Sequence, residues 1–197
     1  MTSMDKRPHV VGIGGTLRGG STSLRALEEA LAAAEEAGTT TELLDLRELG
    51  LRVYEPGKPL EEFGESAERL VEAMRGADVM LWSTAACHGT LAGVTKNALD
   101  FTPYLQDKVV GLVTTSGGDM AAVNAINAMV NVVHALRGVA APLSVPVTQP
   151  WKAFDDEGNV NDEGVARRLE SLGRLVVEMA AKLGEKEAAG RTLRTAA

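Results

Sequence analysis

The chain has 197 residues, 45% hydrophobic, 24% charged and 4% aromatic, enough for one domain with a full core and no staples. Its net charge of −7 speaks against a general binder of nucleic acid or anionic membrane, while leaving room for a local anionic cofactor site. The single cysteine, Cys87, excludes an internal disulfide framework; no segment reads as a secretory signal or an apolar membrane span, so a cytoplasmic protein is expected.

The residues up to Arg7 read as a disordered lead-in. His9 to Gly14 is a short apolar run ending in glycines, the pattern of a buried strand feeding a tight turn. Leu24, Leu27, Leu31 and Ala34 follow at helical spacing, with Gly38 as a helix end. Thr39 to Asp45 predicts a second strand, Arg47 to Pro59 a loop, and Glu61 to Gly76 a helix with Phe63, Ala67, Leu70, Val71 and Met74 on one face. Ala77 to Thr84 predicts a third strand, Ala85 to Gly93 a loop, and Val94 to Phe101 a short helix. Lys108 to Thr115 predicts a fourth strand, followed by a turn at Ser116-Gly117-Gly118 and a helical stripe from Ala122 to Leu136. Gly138 to Val147 holds a fifth strand, shortened by Pro142 and Pro146. The last helix carries Val165, Leu169, Leu172, Val176, Met179 and Leu183 on one stripe, with Asp162 as its N-cap; from Gly184 on, a frayed polar tail is expected.

Five alternations of strand and helix imply a parallel sheet with right-handed crossovers and helices on both faces. The strands' near-continuous apolar character fits burial on both sides. Nothing splits the chain, so residues 1–197 are expected to form one domain, with a core over about 8–184.

In such a sheet, ligands bind beyond the carboxyl ends of the strands. Three loops leave those ends: Gly14 to Ser23, Ala85 to Gly93 and Ser116 to Ala121, all rich in small residues. The first enters a helix, whose leading N–H groups and positive dipole end attract an anion. Thr16, Ser21 and Ser23 add hydroxyls and Arg18 adds a charged fork, a set suited to a terminal phosphate. Competing phosphate motifs fail at single positions. A dinucleotide fingerprint has its third glycine replaced by Leu17, and a P-loop has Gly20 where its lysine must stand. A cysteine-phosphatase loop starting at Cys87 meets Gly93 instead of arginine.

The segment Gly15-Thr16-Leu17-Arg18-Gly19-Gly20-Ser21-Thr22-Ser23 resembles the first motif of the NADPH-dependent FMN reductase family, a branch of the flavodoxin-like superfamily. Thr95-Lys96-Asn97-Ala98-Leu99-Asp100, Ser116-Gly117-Gly118 and Phe154-Asp155-Asp156-Glu157-Gly158-Asn159 continue the likeness, over about residues 9 to 180. The departure is Ala85-Ala86-Cys87, where the family has Pro-Glu-Tyr. The resemblance implies a flavodoxin-like three-layer sandwich with a five-stranded parallel sheet in the order 2-1-3-4-5. It implies that Gly15, Thr16, Arg18, Ser21, Thr22 and Ser23 hold the phosphate of FMN, that Ala85, Ala86, Cys87, His88 and Gly89 flank the flavin ring, and that Ser116, Gly117 and Gly118 approach its pyrimidine edge.

The resemblance further implies hydride transfer from NADPH or NADH to FMN and on to a small-molecule acceptor, in a homodimer or homotetramer. No side chain need act as acid or base; His88 is the one candidate proton donor, against a reading as a loop or ring-edge histidine. Cys87 reads as a small polarizable neighbour of the ring, His134 as structural, Asn97 and Asp100 as local hydrogen bonders, and Trp82 and Phe101 as core or subunit-contact residues. No metal site is expected from the spacing of three histidines and one cysteine. The ring loops carry no aromatic residue, which favours a reductase with an open ring face. The alternatives are a flavodoxin-like FMN electron carrier or a flavin-binding protein with little turnover.

Overall fold

The computed structural model describes residues 7–195 apart from Tyr104 and Asp107, with side chains described through residue 184. The expected lead-in lies almost wholly outside the described residues. Strand β1 (His9–Gly14) leads into α1 (Thr22–Glu36), then β2 (Thr40–Asp45) and the one-turn helix α2 (Leu46–Leu49). A 3-10 turn (Leu60–Phe63) precedes α3 (Glu65–Gly76), followed by β3 (Val79–Cys87), β4 (Thr90–Leu91) and α4 (Gly93–Asp100). The chain continues through β5 (Val109–Ser116), α5 (Asp119–Ala135), β6 (Val139–Thr148), the one-turn α6 (Pro150–Ala153) and α7 (Glu163–Thr195).

The five principal strands are parallel, in the order β2-β1-β3-β5-β6. This is the expected 2-1-3-4-5 order, with β5 and β6 as the fourth and fifth strands of the sequence reading. Strand alternation divides the core into two layers. Val11, Ile13, Met80, Trp82, Val110 and Leu112 face α3, α4 and α5. Val10, Leu81, Val109, Val113 and Val145 face α1 and α7. Trp82 and Phe101 are core residues, and Phe101 meets Phe63 and Tyr54 edge-on at centroid distances of 4.9 and 5.0 Å.

Four sequence expectations are corrected. The loop after the third strand is a hairpin: β3 runs on to Cys87 and pairs antiparallel with β4. His88 and Gly89 have φ of 49° and 82°, the double left-handed turn whose twist suits a two-residue hairpin. The loop read from Arg47 begins instead with α2, because Asp45 caps it by accepting from the Arg47 N–H at 2.9 Å. The helix read from Glu61 starts at Glu65, because Gly64 at φ 87° separates it from the 3-10 turn. β6 is not shortened by its prolines and extends over ten residues. It is an edge strand, and its register shift opposite Val110–Leu112 absorbs Pro142.

Asp162 caps α7 as expected, accepting from the Gly164 and Val165 N–H groups at 2.8 and 3.0 Å. The helix continues past Gly184 to Thr195. His134, expected to be structural, is exposed near the end of α5. Asp155 accepts from Asn159 N and Nδ2 at 2.7 and 3.0 Å, closing the Phe154–Asn159 turn; these bonds hold its carboxyl below the usual carboxylate range. Among the described residues, no helix is long and apolar enough to cross a membrane.

Candidate functional site

The carboxyl ends of β1, β3, β5 and β6 open onto one groove of about 450 Å³. It is lined by Thr16, Arg18, Ser21, Thr22, Ala85, Ala86, Thr115, Ser116, Gly117, Pro150 and Trp151. Chain folding thus brings together residues that lie up to 135 positions apart.

At one end stands the β1–α1 loop. Ser21 occupies the N-cap of α1, yet its hydroxyl makes no capping bond. It instead pairs with the buried Ser23 hydroxyl at 2.9 Å. The first turn of α1 therefore lacks the side-chain acceptor that normally satisfies its leading N–H groups, and its first residues, Ser21 and Thr22, line the groove. Thr16 Oγ1 accepts from the Arg18 N–H at 3.3 Å, fixing the loop's bend, and Gly20 turns it at φ 66°. The Arg18 side chain is exposed and forms no ion pair among the described residues. Open N–H groups, hydroxyls and an uncommitted guanidinium are the donor set of a phosphate site.

The groove's middle is walled by backbone and small side chains. Ala85 and Ala86 lie where β3 leaves the sheet. The hairpin beneath them is pinned by Thr84 Oγ1, which accepts from the Ala92 N–H at 3.0 Å and pairs with Thr95 Oγ1 at 2.9 Å. Opposite, Ser116 Oγ accepts from the Gly118 N–H at 3.2 Å, and Ser116 O accepts from the Gln149 N–H at 2.8 Å. These bonds fix the two walls of the groove.

Some expected site residues stand apart from the lining. Gly15 is buried behind the loop at φ 94°, with Asp45 beside it. Ser23 is fully buried. Cys87, His88 and Gly89 form the hairpin tip, where Cys87 and His88 are exposed. Gly118 serves as the N-cap of α5. Asn97 is a structural hydrogen bonder but not the expected local one: Oδ1 accepts from the Tyr54 N–H at 2.8 Å and Nδ2 donates to Arg52 O at 2.9 Å, tying α4 to the distant loop before the 3-10 turn. Asp100 pairs with Lys96. Among the described residues, no group of three or more His, Cys, Asp or Glu is placed to hold a metal.

The sequence reading overlooked four contributors. Thr115, Pro150 and Trp151 line the groove, and Arg47 Nη1 lies 3.1 Å from where a Gly19 Cβ would sit. The signal for Pro150 and Trp151 is present in the sequence, because a fifth strand also has a carboxyl end and a proline just after it marks a helix start. Arg47 had no such signal, since only pairing of β1 with β2 brings it to the first loop.

The model of the NADPH-dependent FMN reductase family matches residues 8–152, which include every strand and every residue of the groove. The chain belongs to this family. An NAD(P)H-dependent FMN reductase of Pseudomonas aeruginosa is 37% identical over 92 residues, 47% of this chain and 48% of the relative. An FMN-dependent NADPH-azoreductase of Staphylococcus aureus is 28% identical over 102 residues, 51% of this chain and 54% of the relative. The chain thus spans about half the length of the curated relatives it matches. Among solved structures, RosB with a bound 8-demethyl-8-formylriboflavin-5'-phosphate intermediate shares the fold with a TM-score of 0.70 at 16% identity, over 96% of this chain and 88% of RosB.

Proposed function

We propose that the chain is an NAD(P)H-dependent FMN oxidoreductase that takes FMN into the groove and passes reducing equivalents to a small acceptor. The observation that carries this reading is the uncapped first turn of α1 beside the uncommitted Arg18, at the end of a slot walled by Ala85–Ala86 and Ser116–Gly117. FMN fits it: Thr16, Arg18, Ser21 and Thr22 would hold the phosphate, Ala85 and Ala86 would flank the ring, and Ser116 and Gly117 would meet its pyrimidine edge. Bound there, FMN supplies two-electron hydride acceptance from a nicotinamide and delivery to an acceptor. The protein's own part is to bind, orient and polarise.

Gly15, Ser23 and Gly118 act behind the lining, shaping the two turns. Cys87, His88 and Gly89 form the hairpin tip that follows Ala85 and Ala86, and His88 is the candidate proton donor to an acceptor. We further propose that residues 1–197 work as one domain, in the cytoplasm and as a homo-oligomer. The ring loops themselves carry no aromatic residue, but Trp151 lines the groove from the turn after β6; support for a reductase over a carrier comes from the opposite wall, where Ala85 and Ala86 leave that flavin face open for a nicotinamide. The test is to incubate the purified chain with FMN, remove free flavin by gel filtration and record the retained flavin spectrum. A stoichiometric flavin signal is expected; a colourless protein that quenches no FMN fluorescence would overturn the proposal.

A further inference from the structure

Trp151 is an aromatic side chain that the fold does not use. It is 63% exposed although it lies in a well-anchored turn. The anchors are its neighbours: Gln149 takes a left-handed conformation at φ 50°, Pro150 starts α6, and Ala153 and Phe154 are 2% and 6% exposed. Two further bonds hold the turn, Gln149 N–H to Ser116 O at 2.8 Å and Phe154 N–H to Pro150 O at 3.0 Å. Backbone position is therefore fixed while the indole is left largely in water. A tryptophan so displayed forgoes most of the burial that makes it valuable to a core.

The indole does touch the groove. Its Cη2 and Cζ3 lie 3.6 and 3.8 Å from where a Cβ on Gly117 would sit, so the ring edge rests over the Ser116–Gly117 turn. Among the described residues, no other that lines the groove is aromatic. The polar donors Thr16, Arg18 and Ser21 gather on the β1 side, whereas Trp151 follows β6, beyond β5. Met120, just after the same turn, is 79% exposed and adds apolar surface there.

We propose that Trp151 is a specificity-determining residue for the second substrate: its indole is the platform on which a flat, conjugated acceptor packs while FMN occupies the slot. This rests on the proposed FMN site. Stacking favours planar aromatic acceptors such as quinones and azo compounds over acceptors without a flat face, because an offset aromatic pair gains attraction beyond area burial.

The test uses FMN-loaded chain with NADPH and two acceptors, menadione, which is planar, and ferricyanide, which is octahedral. At saturating FMN, Trp151→Ala is expected to raise KM for menadione about five- to tenfold, well beyond any change in the KM for ferricyanide. Trp151→Phe is expected to restore KM to within about twofold, because it keeps a ring. A second readout needs no turnover. The chain has two tryptophans, and Trp82 is fully buried. Menadione is expected to quench the tryptophan emission of the FMN-loaded protein saturably, and to lose that saturable component in Trp151→Phe. An unchanged menadione KM in Trp151→Ala with normal FMN binding would overturn the inference and leave the proposed function standing. Equal losses for menadione and ferricyanide at saturating FMN would overturn it too, by assigning the indole to the flavin. Failure of the wild-type chain to take up FMN would overturn both.

Discussion

Replacing Arg18 with alanine removes, among the described residues, the one cationic side chain that lines the groove. It removes no bond that the fold uses, since the side chain is exposed and forms no ion pair among the described residues. The cost should therefore fall on ligand binding alone. A hydrogen bond to a charged partner is worth about 1.5–3 kcal/mol. An exposed guanidinium is screened by water and salt, which places the loss near the bottom of that range, about 1.5 kcal/mol or about tenfold in Kd. Titration of FMN followed by quenching of flavin fluorescence reads this directly. Raising the salt should narrow the gap between wild type and Arg18→Ala, because the lost term is electrostatic. Arg18→Lys should fall between them, keeping the charge and losing the fork. The melting temperature should not move. An FMN Kd unchanged within about twofold would place the phosphate elsewhere, and a Kd loss accompanied by a lowered melting temperature would assign Arg18 to the fold.

Two stability predictions probe the frame that holds the groove. A Cβ on Gly173 would lie 2.2 Å from Ala30 O and 2.9 Å from Ala33 Cβ, so Gly173→Ala must push α7 off α1; a net loss of about 2 kcal/mol is expected by denaturant unfolding, after the helix-propensity gain. Gly184→Ala in the same helix meets nothing within 4 Å and should stabilise by about 0.5–1 kcal/mol; equal effects at the two positions would contradict the close approach. Lys108 Nζ donates to Met74 O, Arg75 O and Ala77 O at 2.9, 2.7 and 2.7 Å, satisfying the end of α3, so Lys108→Met should cost about 2 kcal/mol. Burial lowers the Lys108 pKa, against a smaller rise from Asp78. The unfolded chain therefore holds this proton to higher pH than the folded one, and stability gains as pH climbs from the folded pKa to the free-lysine value. The wild-type advantage over Lys108→Met should accordingly widen with alkaline pH in paired melts, and a narrowing would contradict the sign.

The strand order followed from the family resemblance, whereas the parallel α/β architecture was legible because its cause is local: short apolar strands alternate with striped helices. The same was true of the β1–α1 loop, whose glycines, hydroxyls and Arg18 are contiguous. What escaped the sequence reading arises from geometry between distant segments. The β3–β4 hairpin depends on two residues with positive φ, and one of them is His88 rather than glycine, which hides the turn signal. β6 tolerates Pro142 because a bulge on an edge strand removes the need for its N–H, a fact visible only once its single neighbour is known. Arg47 reaches Gly19 only through β1–β2 pairing. Ser21 stands at the N-cap of α1, yet its hydroxyl turns to Ser23, and that choice is what leaves the helix end open.

The most direct test of the reductase reading is anaerobic stopped-flow mixing of FMN-loaded chain with NADPH or NADH, followed by the flavin absorbance. Bleaching at a rate that saturates with nicotinamide concentration, and recovery of the oxidised spectrum on adding menadione, are the expected results. Stoichiometric FMN that neither nicotinamide bleaches, but that chemical reductants do, would contradict the reductase reading and leave an electron carrier in its place.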